Sequence, residues 1–292
     1  MFYEEWPLIF FTLLGQLAAG TFILLTAGRL YLEKHAPKAD HSSWFQKSTL
    51  SIAGVMVLAI VMSAFHIGTW SNMLYMIANV GSSWLAREIV FAGLFLAMVV
   101  AVWLTERAGR SLKGLYYLTS AVGIACVYAM ASVYATTIIP AWSHVNTYFA
   151  HFGTMFVLGV LGAGLCFILF RRDEAGSPEQ VGLMKGLAFA GAAAVILQLI
   201  VLPVYLTGLA DGGAAGTATL NTLFAGHTWT MVFRWGLTLA GGVLLLYSLF
   251  RYSERIYTKV PAQIYTAVIF VIAGEFVGRY LFYLTGIPTQ IG

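Results

Sequence analysis

Charged side chains are scarce in this sequence. Only 10% of its 292 residues are Asp, Glu, Lys or Arg, whereas 60% are hydrophobic. A soluble domain carries about 25% charged residues, so this composition excludes a water-soluble fold. The net charge is only +4, and its distribution along the sequence indicates no nucleic-acid partner. The composition instead predicts an integral membrane protein in direct contact with the lipid bilayer.

Cysteine is nearly absent as well. Cys126 and Cys166 each stand alone in an apolar run, where a packed, unreactive thiol is the usual state. Two cysteines are too few for an iron–sulfur cluster, which takes about four, and no metal site is predicted in this protein. A basic signal-peptide segment is also missing, because the first charges are Glu4 and Glu5 and the first apolar run is long enough to span a membrane.

Long apolar runs are what the sequence does contain. About 20 mainly apolar residues are needed to cross a bilayer, and eight runs reach that length. The predicted spans are approximately 7–31, 48–68, 84–104, 114–137, 148–170, 183–207, 228–250 and 262–285. The predicted fold is therefore an all-α integral membrane domain covering residues 1–292, with its eight transmembrane helices grouped as two four-helix bundles.

Positive charges fall on alternate connections between these spans. Thirteen of the sixteen Lys and Arg residues are grouped with the connections after the first, third, fifth and seventh spans, among them Arg29 close to the end of the first. Connections rich in Lys and Arg stay on the cytoplasmic side. Both ends of the protein are therefore predicted to face away from the cytoplasm.

The three remaining arginines lie inside predicted spans, together with two glutamates. These intramembrane charges are Arg87, Glu88, Arg234, Glu275 and Arg279. A central charge costs roughly 2.5–3.5 kcal/mol on insertion scales, so each needs a partner or a function. With the predicted orientation, all five lie in the outer half of the membrane. Arg87 and Glu88 are adjacent and point about 100° apart on a helix, so they cannot pair with each other.

Several other polar residues lie on the same predicted side. Gln16 is slightly deeper in the first span, and His66 stands at the outward end of the second. His144, His151 and His227 lie near outer helix mouths. Histidines in such places are more often solvated or capping than catalytic.

The spacing of Glu275 and Arg279 allows two interpretations. Residues four apart on a helix can form an ion pair, so the two side chains could satisfy each other. Gly274 and Gly278 flank them in a pattern that indicates close helix packing. A structural salt bridge and a ligand contact therefore remain equally open for this pair.

A one-sided cluster of ionisable groups suits a quinol site best. Transporters place their polar site near the midplane, and no ion path across the membrane can be traced here. A b-type haem would need axial histidines inside facing spans, and only His151 approaches such a position. Quinol oxidation instead needs groups such as an imidazole and a carboxylate to accept two protons. A passive tether and a proton-coupled transporter remain as alternatives.

Three segments resemble one known family. They are EWPLIFFTLLGQLAAG, the pair SAFHIG and SSWLAREIVFAG about twenty residues apart, and GEFVGRYLFYLTG. Together they resemble the membrane-anchor subunit (DmsC family) of bacterial dimethyl sulfoxide reductase-type complexes, which also has this length and topology. The wider polysulfide reductase-type anchors are a weaker likeness with much the same implied function.

The resemblance implies a haem-free, multi-pass subunit of the bacterial inner membrane that oxidises menaquinol near the periplasmic face in anaerobic respiration. Electrons would pass to an iron–sulfur subunit and then to a molybdenum catalytic subunit, both on that face. His66 and Glu88 match the family's quinol residues and are expected to accept the protons. The residues expected to shape the pocket, bind the quinone or brace its wall are Gln16, Arg87, Arg234, Glu275 and Arg279.

Overall fold

The computed structural model describes residues 2–65, 78–171, 177–252 and 261–287. In these ranges eight helices are long and apolar enough to cross a membrane, which confirms the predicted all-α class and number of spans. One further helix is short. The helices are α1 (Phe2–His35), α2 (Ser42–Ala64), α3 (Trp84–Arg107), α4 (Lys113–Ala135), α5 (Val145–Phe170), α6 (Pro178–Ala210), α7 (Gly213–Asn221), α8 (Thr228–Tyr252) and α9 (Ala262–Leu284).

The helices α1 and α6 extend beyond their predicted spans at both ends. α1 has 34 residues and α6 has 33, which corresponds to about 50 Å at 1.5 Å per residue. The hydrocarbon core of a bilayer is only about 30 Å thick. Hydropathy therefore marks the apolar part of each helix and misses the polar turns that continue it. Arg29, which the charge count groups with the connection after the first span, lies within α1.

α1 lies at the centre of the molecule. It packs against α2, α4, α5, α6 and α9, and 72% of its most apolar stretch is buried. Further contacts join α2 to α3, α3 to α4, α5 to α6, α6 to α8, and α9 to both α8 and α5. The grouping into two four-helix bundles and the outward orientation of both ends of the protein stay predictions.

The core around α1 is rich in aromatic side chains. Phe22 of α1 meets Phe95 of α3 edge-on, with ring centroids 6.0 Å apart, and both rings are completely buried. Cys126 and Cys166 pack into the same core as buried free thiols. The prediction that these cysteines are packed thiols is confirmed.

Two glycines bring α1 and α5 into close contact. A Cβ atom on Gly20 would overlap the carbonyl oxygen of Met155, and one on Gly159 would overlap the backbone of Gly20. Small residues of this kind let the backbones of membrane helices touch. The crossing brings Gln16, one turn before Gly20, close to His151 on α5.

The Gly-rich connection at residues 210–221 contains the short helix α7 and continues into a π-helical turn, Thr222–Gly226. Gly213 has a φ of +65°, a conformation that glycine adopts without steric cost, and the backbone reverses there after α6. Thr219 donates a hydrogen bond through Oγ1 to the carbonyl oxygen of Thr285, at 3.3 Å. This hydrogen bond links α7 to the end of α9.

Candidate functional site

Arg279 of α9 is the centre of a buried polar cluster. Its side chain is 3% exposed. Nη2 donates to Oε1 of Gln16 at 2.9 Å, and Nη1 donates to Nε2 of His151 at 2.8 Å. These hydrogen bonds join α9 to α1 and α5. Neither acceptor is a carboxylate, so the hydrogen-bonding partners of this guanidinium are both neutral side chains.

The hydrogen bonds of His151 define its tautomer. Its Nδ1 lies 2.7 Å from the carbonyl oxygen of Thr147, which can only accept, so Nδ1 carries the proton. Nε2 is then the acceptor for Arg279, and the ring is neutral. Sequence reasoning expects a solvated or capping histidine here, but His151 is completely buried. The signal that could have found it is its position inside the predicted span 148–170.

Two tyrosines extend the cluster towards α4. The hydroxyl oxygens of Tyr134 and Tyr283 are 2.8 Å apart. The ring of Tyr134 stacks on His151 with centroids 5.9 Å apart. We call this set the polar cluster; its members are Gln16, Tyr134, His151, Arg279 and Tyr283.

Glu88 is buried beside the polar cluster. Its side chain, on α3, is 5% exposed, and it lies close enough to Tyr134 and Tyr283 to interact electrostatically with both. The structure therefore brings Glu88 and the polar cluster together from α1, α3, α4, α5 and α9. His66 lies outside the described residues, so its predicted partnership with Glu88 stays a prediction.

Arg87 binds the turn that precedes α3. Its Nε donates to the carbonyl oxygen of Val80 at 2.9 Å, and its Nη2 donates to that of Gly81 at 2.7 Å. The guanidinium also lies 4.3 Å from the ring centroid of Trp84. Arg87 and Glu88 thus contact different surroundings, as adjacent helical residues should. A role for Arg87 in the quinone pocket stays a prediction.

Glu275 and Arg279 do not pair with each other. Thr154 of α5 donates a hydrogen bond through Oγ1 to Oε2 of Glu275 at 2.6 Å, whereas Arg279 binds Gln16 and His151. No ion pair between described side chains joins the two. Spacing by four residues permits a salt bridge, but each side chain here has a partner on another helix. The structural salt bridge is therefore not formed.

Gly274 and Gly278 do mark close helix packing, as predicted. A Cβ atom on Gly274 would overlap Oγ1 of Thr238, and one on Gly278 would overlap Nε of Arg234. Arg234 of α8 therefore lies across Gly278, and its Nη2 donates to Oε1 of Gln198 on α6 at 3.0 Å. Its observed partner thus lies outside the polar cluster, and its role in the quinone pocket stays a prediction.

His144 caps the start of α5. Its Nδ1 accepts a hydrogen bond from the backbone N–H of Asn146 at 3.0 Å. Partial burial lowers the pKa of the His144 imidazole, which favours the neutral form that can accept this bond. The capping role expected from the sequence is confirmed for this histidine.

The polar cluster retains an unused hydrogen-bond donor. Gln16 is completely buried, and its Nε2 has no hydrogen-bond partner among the described residues. A buried donor left unpaired costs about 1–3 kcal/mol, which makes a ligand the natural partner. The cluster offers amide, phenol, imidazole and guanidinium groups, and in the described part of the protein no group of three or more His, Cys, Asp or Glu could hold a metal. Such groups suit a hydrogen-bonding organic ligand.

Comparison with known proteins identifies the family. The model of the DMSO reductase anchor subunit (DmsC) matches residues 1–285. The protein belongs to this family. It is similar to YnfH of Escherichia coli (strain K12), a subunit of an anaerobic dimethyl sulfoxide reductase. The two are 26% identical over 295 residues, which is 99% of the present sequence and 97% of YnfH.

Two further relatives are each named as the C subunit of an anaerobic dimethyl sulfoxide reductase. The protein from Haemophilus influenzae is 28% identical over 174 residues, which is 58% of the present sequence and 61% of that protein. The protein from E. coli is 29% identical over 164 residues, which is 54% and 56%. The resemblance found in three sequence segments is confirmed. Membership in the DmsC family implies a multi-pass membrane subunit that anchors a reductase complex, with catalytic and iron–sulfur partner subunits.

Proposed function

We propose that this anchor subunit binds and oxidises menaquinol at the polar cluster, near the periplasmic face of the bacterial inner membrane. One observation carries the proposal: the buried amide of Gln16 is held by Arg279 through Oε1, and its Nε2 donor is unpaired among the described residues. A quinol or quinone oxygen can accept a hydrogen bond from Nε2. The substrate is uncharged, so it can enter this site from the hydrocarbon without a counter-ion.

Quinol oxidation releases two protons and two electrons. We assign the protons to the carboxylate of Glu88, buried beside the polar cluster, and to the imidazole of His66. A positioned carboxylate and an imidazole are both suited to accept a proton. The electrons leave to the iron–sulfur subunit and then to a molybdenum catalytic subunit on the periplasmic face. This scheme needs no haem in the anchor subunit.

His151 and Arg279 act in this scheme as positioning residues. Nδ1 of His151 already carries a proton bound to Thr147, and its Nε2 already accepts from Arg279. Neither nitrogen is therefore free to take a proton from quinol. Arg279 in turn orients the Gln16 amide by binding its oxygen, which leaves the Nε2 donor for the substrate.

The first test replaces the carboxylate of Glu88. In the assembled complex, Glu88→Gln should lower kcat/KM for a menaquinol analogue about 100-fold or more, since a positioned general base contributes about that much. Glu179→Gln, at the start of α6, removes a glutamate remote from the polar cluster and should leave the rate unchanged. Complex assembly is checked by co-purification of the partner subunits.

The second test removes the donor of Gln16. Gln16→Leu should raise KM for the analogue about tenfold, the effect of losing one buried hydrogen bond. Gln263→Leu, at the exposed start of α9, is the matched control. If Glu88→Gln and Gln16→Leu both oxidise the analogue at the wild-type rate, the subunit is a passive tether. Ion or solute flux in vesicles that hold only this subunit would favour a transporter instead.

A further inference from the structure

An apolar cavity lies between α5, α6, α8 and α9. Its volume is about 200 Å³. Along α6 its walls run from Ala188 to Ile196, and along α8 they run from Thr238 to Leu246. None of the described side chains that line it is charged. In the predicted topology this cavity lies in the hydrocarbon region.

A smaller cavity of about 90 Å³ continues along the same two helices towards the end of α9. Its lining on α6 begins at Gln198 and ends at Leu206, and Arg234 lines it from α8. Arg234 is one helical turn from Thr238, so the two cavities adjoin. We call them together the α6–α8 groove. On α6 the groove extends from Ala188 to Leu206, about 27 Å at 1.5 Å per residue.

Arg234 gives a positive charge to the end of the smaller cavity that adjoins the apolar one. Its guanidinium lies 3.8 Å from the ring centroid of Trp235 and donates to Gln198. No ion pair between described residues includes Arg234. The carboxylate that interacts with it, Glu275, is hydrogen-bonded to Thr154. A charge held inside a membrane protein without direct pairing is costly, so an anion at this end would be stabilised.

The amide of Gln198 also has unused capacity at this end. Gln198 is 5% exposed, its Oε1 is engaged by Arg234, and its Nε2 has no hydrogen-bond partner among the described residues. Asn146 and Thr285 line the same cavity close to the helix ends. The groove therefore joins a smaller cavity that is polar and positively charged to a larger apolar one.

We propose that the α6–α8 groove binds one phospholipid, with its anionic headgroup phosphate at Arg234 and an acyl chain in the apolar cavity. A guanidinium is well matched to a phosphate because its planar N–H groups can bind two oxygens at once. From Gln198, which Arg234 binds, the groove runs about 15 Å along α6 to Ala188. This is the depth of one leaflet of a hydrocarbon core about 30 Å thick, so one acyl chain fits beside the arginine. A quinol is the less suitable occupant because its uncharged head leaves Arg234 uncompensated. None of the polar-cluster residues lines the groove, so this site is separate from the proposed quinol site.

The first experiment fills the apolar part of the groove. Gly242 lines it, and a Cβ atom there meets no other atom within 4 Å, so Gly242→Leu adds a side chain at the cavity wall at a position open to a Cβ atom. Gly236 on the same helix is equally open but lines neither cavity, so Gly236→Leu is the matched control. Phospholipid per complex is measured by native mass spectrometry of the detergent-purified reductase complex. Wild-type and Gly236→Leu should retain one molecule per anchor subunit, and Gly242→Leu about tenfold less.

The second experiment tests the headgroup. Delipidated complex is incubated with vesicles of phosphatidylglycerol or of phosphatidylcholine, and bound lipid is measured again. Both lipids carry the headgroup phosphate, so Arg234→Gln should retain about tenfold less of either lipid than the wild-type protein. Equal retention by Arg234→Gln and the wild-type protein would refute the contact between phosphate and arginine.

Two outcomes of the first experiment would overturn the proposal altogether. One is full phospholipid retention in Gly242→Leu, and the other is a wild-type groove that retains a quinone or no lipid. Neither outcome affects the proposed quinol oxidation, which is measured through Glu88 and Gln16.

Discussion

Two buried arginines lie towards opposite ends of the molecule and are satisfied in opposite ways. Arg29, near the end of α1, contacts two carboxylates: Nε is 2.9 Å from Oε1 of Glu33, and Nη1 is 2.8 Å from Oε2 of Glu106. Arg279, near the end of α9, binds only the amide of Gln16 and the neutral imidazole of His151 among the described side chains. The two sites share deep burial but differ in the charge of their partners.

The site around Arg29 is self-contained. Besides Arg29, Glu106 accepts hydrogen bonds from Ser42, at 2.7 Å, and from the hydroxyl of Tyr116. The ammonium of Lys113 lies 2.9 Å from Glu33. These contacts tie α1, α2, α3 and α4 together with charges of both signs. Burial of a charge is therefore no sign of function by itself; neutral hydrogen-bonding partners, as in the polar cluster, are the better indication.

The largest expected effect on stability comes from a substitution that disrupts the site around Arg29. Arg29→Ala should lower the free energy of unfolding by about 3–5 kcal/mol, because it leaves buried carboxylates without their counter-charge. Denaturant unfolding of the purified subunit in detergent measures the change. The double variant Arg29→Met with Glu106→Gln should recover part of the loss. A loss below about 1 kcal/mol in Arg29→Ala, the range of weak exposed pairs, would show that these ion pairs do not hold the helices together.

Replacing Arg279 should have a smaller effect on stability and a larger one on function. Arg279→Gln removes two charge-assisted hydrogen bonds that are each worth about 1.5–3 kcal/mol. It also removes a buried charge that costs roughly 2.5–3.5 kcal/mol to hold in a membrane, and it leaves no carboxylate in direct contact unpaired. We expect a net loss of at most about 3 kcal/mol in the free energy of unfolding, together with a fall in quinol oxidation per assembled complex. Arg29→Ala should keep the rate per assembled complex. Equal rates of quinol oxidation in Arg279→Gln and Arg29→Ala would show that the two arginine sites do not differ in function.

The smallest expected effects come from removing one tyrosine hydroxyl near Arg279 and one near Arg29. Tyr283→Phe removes a hydrogen bond between the neutral hydroxyls of Tyr283 and Tyr134 and should cost about 0.5–1.5 kcal/mol. Tyr116→Phe removes a bond to the carboxylate of Glu106 and should cost about 1.5–3 kcal/mol. Thermal unfolding of both variants in the same detergent ranks them. The reverse order would mean that the tyrosine pair is the stronger structural element.

Sequence reasoning succeeds where the cause is local. Each span is a continuous apolar run, so hydropathy alone predicts eight membrane helices. The divergence of Arg87 and Glu88 follows from helical geometry and is observed. The cap formed by His144 and the close packing at Gly274 and Gly278 are local patterns as well.

Sequence reasoning fails where the partner is distant in the sequence. Spacing allows Glu275 and Arg279 to pair, but it cannot show that Thr154 and Gln16 are better placed to bind them. A histidine near a helix mouth is usually solvated, and this general expectation is wrong for His151. The count of positive charges groups Arg29 with a connection, whereas Arg29 lies within α1 and binds carboxylates there.

The sequence by itself determined that this protein lies in a membrane, how many times its helices can cross it, and which charges need compensation. Only the tertiary structure decided which partners compensate them. Gln16 and Arg279 are 263 residues apart, and they meet because α1 packs between α5 and α9. Hydrophobicity acts on each segment separately, whereas the pairing of polar groups depends on how all the segments pack.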